Sequence, residues 1–187
     1  QSGILITANS PNNFIGGNVG ATLGGPCTDE CNLISANGEN GIYITFDAQA
    51  DGNDIKGNMI GTNADGNRAF GNLQAGIKIE GNVSNTAIGG TAAGDGNTIA
   101  FNGRKGVVIL GVGAANNSIQ GNLFNANNNI GIDLGDDGAT PNDLNDLDTG
   151  HNNLQNFPVL TSVTVGGGGT TIEGTLDSTP NIQHRIE

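Results

Sequence analysis

The chain has 187 residues, a formal net charge of −12 with only six Lys and Arg, 35% hydrophobic residues and 4% aromatics. That length holds one domain, or one and part of a second, and so acidic a surface disfavours nucleic acid as a partner. No run of about 18 apolar residues occurs, so no membrane insertion is expected, and no basic stretch leads into an apolar one, so any signal peptide has been removed or lies upstream.

The first element is Gly3-Ile4-Leu5-Ile6. Its phrase returns as Gly41-Ile42-Tyr43-Ile44, Gly76-Ile77-Lys78-Ile79, Gly106-Val107-Val108-Ile109 and Gly131-Ile132-Asp133-Leu134. A chain that repeats itself at such intervals stacks one unit on the next. Between the stations stand clusters of Asn followed by an apolar residue: Asn53-Asp54-Ile55, Asn58-Met59-Ile60, Asn97-Thr98-Ile99, Asn117-Ser118-Ile119 and Asn122-Leu123-Phe124. Apolar residues alternate within each cluster, the period of a half-buried strand. Three short strands per interval predict a right-handed parallel β-helix of about four to five short rungs over residues 1–134. Gly at each station suits a tight corner, and Asn at equivalent corners suits left-handed geometry and amide ladders along the stack.

Three segments read as excursions from the stack. The first, Asn18–Glu30, leads to Cys27 and Cys31, where a local disulfide is expected and free thiols are the alternative. A metal site there is disfavoured, because His151 and His184 are remote in sequence. The second, Thr62–Asn72, turns at Asp65-Gly66; the third is Thr91–Asn97.

After Leu134 the pattern stops. Residues 135–158 form an Asp- and Asn-rich cap or linker, and residues 159–187 begin a domain of antiparallel strands: Ser162–Val165, a Gly turn, Thr170–Leu176 and the start of a third at Gln183–Glu187. Two or three strands leave exposed edges, so this is expected to be a fragment of a longer chain or a sheet completed by another chain.

The acidic segment carries the candidate metal ligands Asp136, Asp137, Asp143, Asn145, Asp146 and Asp148, with Asp133 close by. Carboxylates and amides at alternate positions suit calcium, which takes oxygen ligands on flexible loops, although no EF-hand pattern is present. The alternative is a solvated loop whose side chains cap turns. Tyr43, Phe46 and Lys78 could line a binding face, the alternative being ordinary solvent-facing strand positions. Arg104-Lys105, the one basic pair, reads as a solvated corner. The outward stations Leu5, Tyr43, Lys78, Val108 and Asp133 share no chemistry.

The run Asn58–Gly66, the step Ile88-Gly89-Gly90-Thr91 and the Gly-Ile-x-Ile stations resemble repeats of the pectate-lyase-like superfamily, in particular those of large secreted bacterial surface proteins. The tail Gly131–Gly135, Thr140–Asp143, Asp148–Gly150 and Asn152–Leu160 is similar to the segment that ends such a helix ahead of an immunoglobulin-like domain. The resemblance implies a secreted, cell-surface location and a non-catalytic scaffold, adhesin or filament segment that assembles through its C-terminal strands. The superfamily also holds polysaccharide-binding and polysaccharide-cleaving members. Asp136-Asp137 and Gly150-His151 are similar to polygalacturonase motifs, but no Asn-Thr-Asp triplet precedes the pair, no second Gly follows His151 and no Arg-Ile-Lys motif occurs.

Overall fold

The computed structural model describes residues 1–7, 9–19, 22–45 and 50–187. It is nearly all β. The first rung is β1 (Ile4–Ile6), β2 (Phe14–Gly16) and β3 (Leu33–Ile34); the second is β4 (Ile42–Ile44), β5 (Asp54–Lys56) and β6 (Met59–Ile60). The third is β7 (Ile77–Glu80), β8 (Ala87–Gly89) and β9 (Thr98–Ala100), and the fourth is β10 (Val107–Leu110), β11 (Ser118–Gln120) and β12 (Leu123–Asn125). A fifth turn begins with β13 (Ile132–Leu134). Like strands stack in parallel into three sheets, β1-β4-β7-β10-β13, β2-β5-β8-β11 and β3-β6-β9-β12. The chain is thus a parallel β-solenoid, as the repeat predicts.

The register explains the spacing of the apolar residues. Ile6, Ile44, Ile79 and Ile109 lie over one another, as do Ile15, Ile55, Ile88 and Ile119, and Ile34, Ile60, Ile99 and Phe124. These columns meet in one narrow core, and in the middle rungs Ile44, Ile55, Ile60, Ile79, Ile88 and Ile99 are fully buried. Each such side chain contributes about 1.5–3 kcal/mol by leaving water.

The station glycines have a more specific cause than a tight corner. A Cβ on Gly41 would stand 2.6 Å from the Gly76 carbonyl oxygen, one on Gly76 2.8 Å from that of Gly106, and one on Gly106 2.5 Å from that of Gly131. Consecutive rungs approach too closely there for any side chain, and the repeat follows from that contact.

Asn does the same for the corners. In one column Asn32, Asn58, Asn97 and Asn122 stack; in another, Asn37, Asn72, Asn102 and Asn127. Asn58 shows the pattern: its backbone N–H and Nδ2 both donate to Asn97 Oδ1 (2.9 and 3.0 Å), and Nδ2 donates back to the Ile15 carbonyl (2.8 Å). In the middle rungs Asn58, Asn72, Asn97 and Asn102 are buried, and each amide is bonded through both its nitrogen and its oxygen, which offsets the cost of burying it in a core this thin. The third column, Asn13–Asn53–Thr86–Asn117, is interrupted: the buried Oγ1 of Thr86 has no hydrogen-bond partner among the described residues.

Cys27 and Cys31 form the expected disulfide (S–S 2.05 Å), in an excursion that docks on the next through Cys27 N–H and the Ala64 carbonyl. The C-terminal segment is a single hairpin, β14 (Val159–Gly166) and β15 (Gly169–Thr175). The third strand expected at Gln183–Glu187 does not form; those residues are irregular, and the Glu187 carboxylate accepts the Gly121 N–H instead. Among the described residues no helix is long and apolar enough to cross a membrane.

Candidate functional site

The outward residues Leu5, Tyr43, Lys78, Val108 and Asp133, chemically unrelated in sequence, stand in register as one file on the first sheet. Beside it runs a groove of about 340 Å³, lined among others by Glu39, Tyr43, Gln74, Lys78, Arg104 and Lys105. Three of the chain's six Lys and Arg therefore line one groove. Phe46, the third candidate for this face, lies outside the described residues.

The polar groups here are mostly paired with one another. Tyr43 donates its hydroxyl to the Glu80 carboxylate; Lys78 sits 3.2 Å from that carboxylate and 5.6 Å from the Tyr43 ring centroid. Partial burial and the Glu80 hydrogen bond raise the Tyr43 pKa, and the Tyr43 hydrogen bond, against partial burial and with help from Lys78, lowers that of Glu80.

Lys105 is not the solvated corner expected of Arg104-Lys105. Its side chain is 6% exposed, with Nζ 3.1 Å from Asp133 and 2.5 Å from Asp136 Oδ1, and it also donates to the Asp136 carbonyl (3.1 Å). Asp133 is fully buried; its Oδ2 accepts the Gly138 N–H, and its Oδ1 has no hydrogen-bond partner among the described residues. Burial works against the charge on Lys105 but is outweighed by its hydrogen bonds to Asp136 and Asp133, so its pKa is raised. Burial likewise works to raise Asp136, and Lys105 more than offsets it, so that carboxyl titrates below its ordinary range. The cluster fastens the cap segment to the sheet.

Of the candidate metal ligands, the structure brings together Asp143, Asp146 and Asp148, each with one carboxylate oxygen within 4.8 Å of the others. Two single-turn 3-10 segments, Leu144–Asp146 and His151–Leu154, shape this region. Asp143 Oδ2 accepts the N–H groups of Leu147 and Asp148, and Asp146 accepts Asn156 N–H, Gln155 and Ser178. Asp143 Oδ1 and Asp148 Oδ1 are buried and without a hydrogen-bond partner among the described residues. Desolvation, then the charges of Asp143 and Asp146, raise the Asp148 pKa. Asp136 belongs to the Lys105 cluster instead. Asp137 lies by Gly135, opposite the His151 ring, and Asn145 contributes its backbone N–H to Asp177. His151 Nδ1 accepts the Gly111 N–H (2.8 Å), which leaves its proton on Nε2.

The role of Lys105 is the part the sequence reading missed. Its signal is positional: Asn40, Ala75, Lys105 and Ile130 each precede a station glycine, and Lys105 alone among them is charged.

The fold and this face together define a parallel β-solenoid with a stapled cap. Comparisons with protein-family models, curated proteins and solved structures gave no match.

Proposed function

We propose that this chain is a non-catalytic structural scaffold, a segment of an extracellular surface protein built on a pectate-lyase-like right-handed β-helix, and that it assembles through its C-terminal hairpin. The observation that carries this is the hairpin itself. Leu160, Val163, Val165 and Ile172 are all 59% exposed or more; Val163 pairs with Ile172 and Leu160 with Gly174, so the four share one face. Such a face with two open edges suits strand addition by a neighbouring subunit or domain. Glu173 is the one charged residue on the hairpin, so this is the part of a strongly acidic chain where copies meet with the least like-charge repulsion. The disulfide favours an oxidising, secreted setting. Light scattering of the full chain beside one truncated after Val159 tests assembly: loss of higher-order species on truncation supports it, and a full chain that stays monomeric at high concentration sinks it.

In the same reading the acidic turn holds calcium. Asp143, Asp146 and Asp148 supply three carboxylates, two of them with buried oxygens that have no hydrogen-bond partner among the described residues, and a divalent cation there relieves their mutual repulsion.

The groove favours a second reading, a carbohydrate-binding face. Three cations and two carboxylates, Glu39 and Asp136, line it with Gln74 and Asn40, a locally cationic polar strip on a strongly acidic chain. Glycan-array binding that disappears in Arg104→Ala, without any loss of stability, would favour this reading over the scaffold alone.

A further inference from the structure

The two ends of the solenoid differ in kind. Asn13 in the first rung, Asn32, Asn58 and Asn97 in one unbroken column, and Asn37, Asn72 and Asn102 in the other each send N–H and Nδ2 to the Oδ1 of the Asn in the following rung, and that Oδ1 accepts both bonds. In the first rung there is no preceding donor. Asn13, Asn32 and Asn37 present Oδ1 atoms that accept no hydrogen bond among the described residues, although each donates to Asn53, Asn58 or Asn72 above. The backbone agrees: the carbonyls of Gly41, Gly76, Gly106 and Gly131 accept the N–H groups of Ile4, Ile42, Ile77 and Val107 from below, and Gly3 has no such donor among the described residues. The core is also barer there, with Ile6, Ile15 and Ile34 at 6–7% exposed where Ile44, Ile55 and Ile60 are at 0%.

We infer that the first-rung face is a docking surface for one further parallel rung, supplied by an adjoining solenoid segment that carries amide donors at its three corners. The contact it would make is the one the chain already makes between its own rungs, in register and with the same donors and acceptors. Single-sign polarity makes the surface selective: a rung offering acceptors at those corners would face acceptors, a repulsive and unsatisfied arrangement. A second copy of this chain is a poor occupant. At its far end Asn152 Oδ1 already takes the Asn117 N–H, Glu187 takes that of Gly121, and among the described residues only the first sheet has a fifth strand. This inference concerns the opposite end from the hairpin and stands or falls apart from it.

The test adds a rung. A copy of residues 106–130, which carries Asn117, Asn122 and Asn127 at the three corners, is inserted directly before Gly3 in the full chain, so that Ile130 runs into Gly3 as it now runs into Gly131. The expected result is a higher melting midpoint and first-strand amides (β1–β3) that exchange on the order of tenfold more slowly. Both gains should fall away when Asn117, Asn122 and Asn127 of the inserted copy are changed to Ala. An inserted rung that is cut by protease with no change in midpoint overturns the inference. So does an unmodified monomer whose β1–β3 amides are already as protected as those of β7–β9, or an unmodified chain that dimerises with those amides buried.

Discussion

Lys105 Nζ lies 3.1 Å from the Asp133 carboxylate, with both side chains almost wholly out of water. Breaking a buried pair by removing one partner leaves an uncompensated charge, and the penalty is larger than the net worth of the pair. Lys105→Met should therefore destabilise the chain by about 3–5 kcal/mol, measured by urea unfolding. Lys105→Met combined with Asp133→Leu should recover much of the loss. A single substitution that costs under about 1 kcal/mol would show that the cluster is solvated.

The same cluster sets a pH window. Lys105 has a raised pKa, so its contribution is present below its ordinary value and is lost as pH rises through the higher folded value. Asp136 has a lowered pKa, so its contribution is present above its ordinary value and lost as pH falls through the lower folded one. Cap attachment should be flat between roughly pH 5 and 10 and weaken on both flanks. Amide exchange of Gly138, whose N–H rests on Asp133, reports it. A single transition near pH 6–7 would point to a histidine instead.

Calcium at millimolar concentration should raise the melting midpoint, and Asp143→Asn with Asp148→Asn should abolish the shift. Because the Asp148 pKa is raised by burial and by its acidic neighbours, protons compete with the cation, and the effect should shrink as the solution is acidified. An equal midpoint shift in the double variant would place the ion elsewhere.

Thr86 interrupts the Asn13–Asn53–Asn117 column, and its buried hydroxyl oxygen has no hydrogen-bond partner among the described residues. Thr86→Asn should complete the ladder and stabilise the chain by about 1 kcal/mol, while Asn97→Ala in an intact column should cost on the order of 3 kcal/mol. Both are read from denaturant midpoints. A destabilising Thr86→Asn would mean that the corner at Asn85, which has a positive φ, cannot carry the larger side chain.

The stack was legible because its cause is local. Gly-Ile-x-Ile encodes a close carbonyl contact and two inward side chains, and both recur at each turn. The first rung was harder to see: Phe14–Gly16 and Leu33–Ile34 are separated by the long cysteine excursion, so strands that are adjacent in space look unrelated in sequence. The Lys105 cluster was hidden for the same reason. Asp133 and Asp136 are remote from Lys105 along the chain, and only the rung register brings them together. In the acidic segment the sequence showed a run of Asp and Asn, but backbone turns sorted them, drawing Asp143, Asp146 and Asp148 together and giving Asp136 to Lys105.

The amide ladders also make the chain vulnerable to chemical ageing. Asn102 is buried and is followed by Gly103, the dipeptide least able to shield a side-chain amide from attack by the next backbone nitrogen. Conversion of Asn102 to aspartate would replace a two-way amide with an acceptor-only carboxylate facing Asn127 Oδ1 and the Ile60 carbonyl, where Nδ2 now donates. One lesion would break the column in both directions, so the rate at which the packed stack shelters Asn102 should set how long the protein lasts.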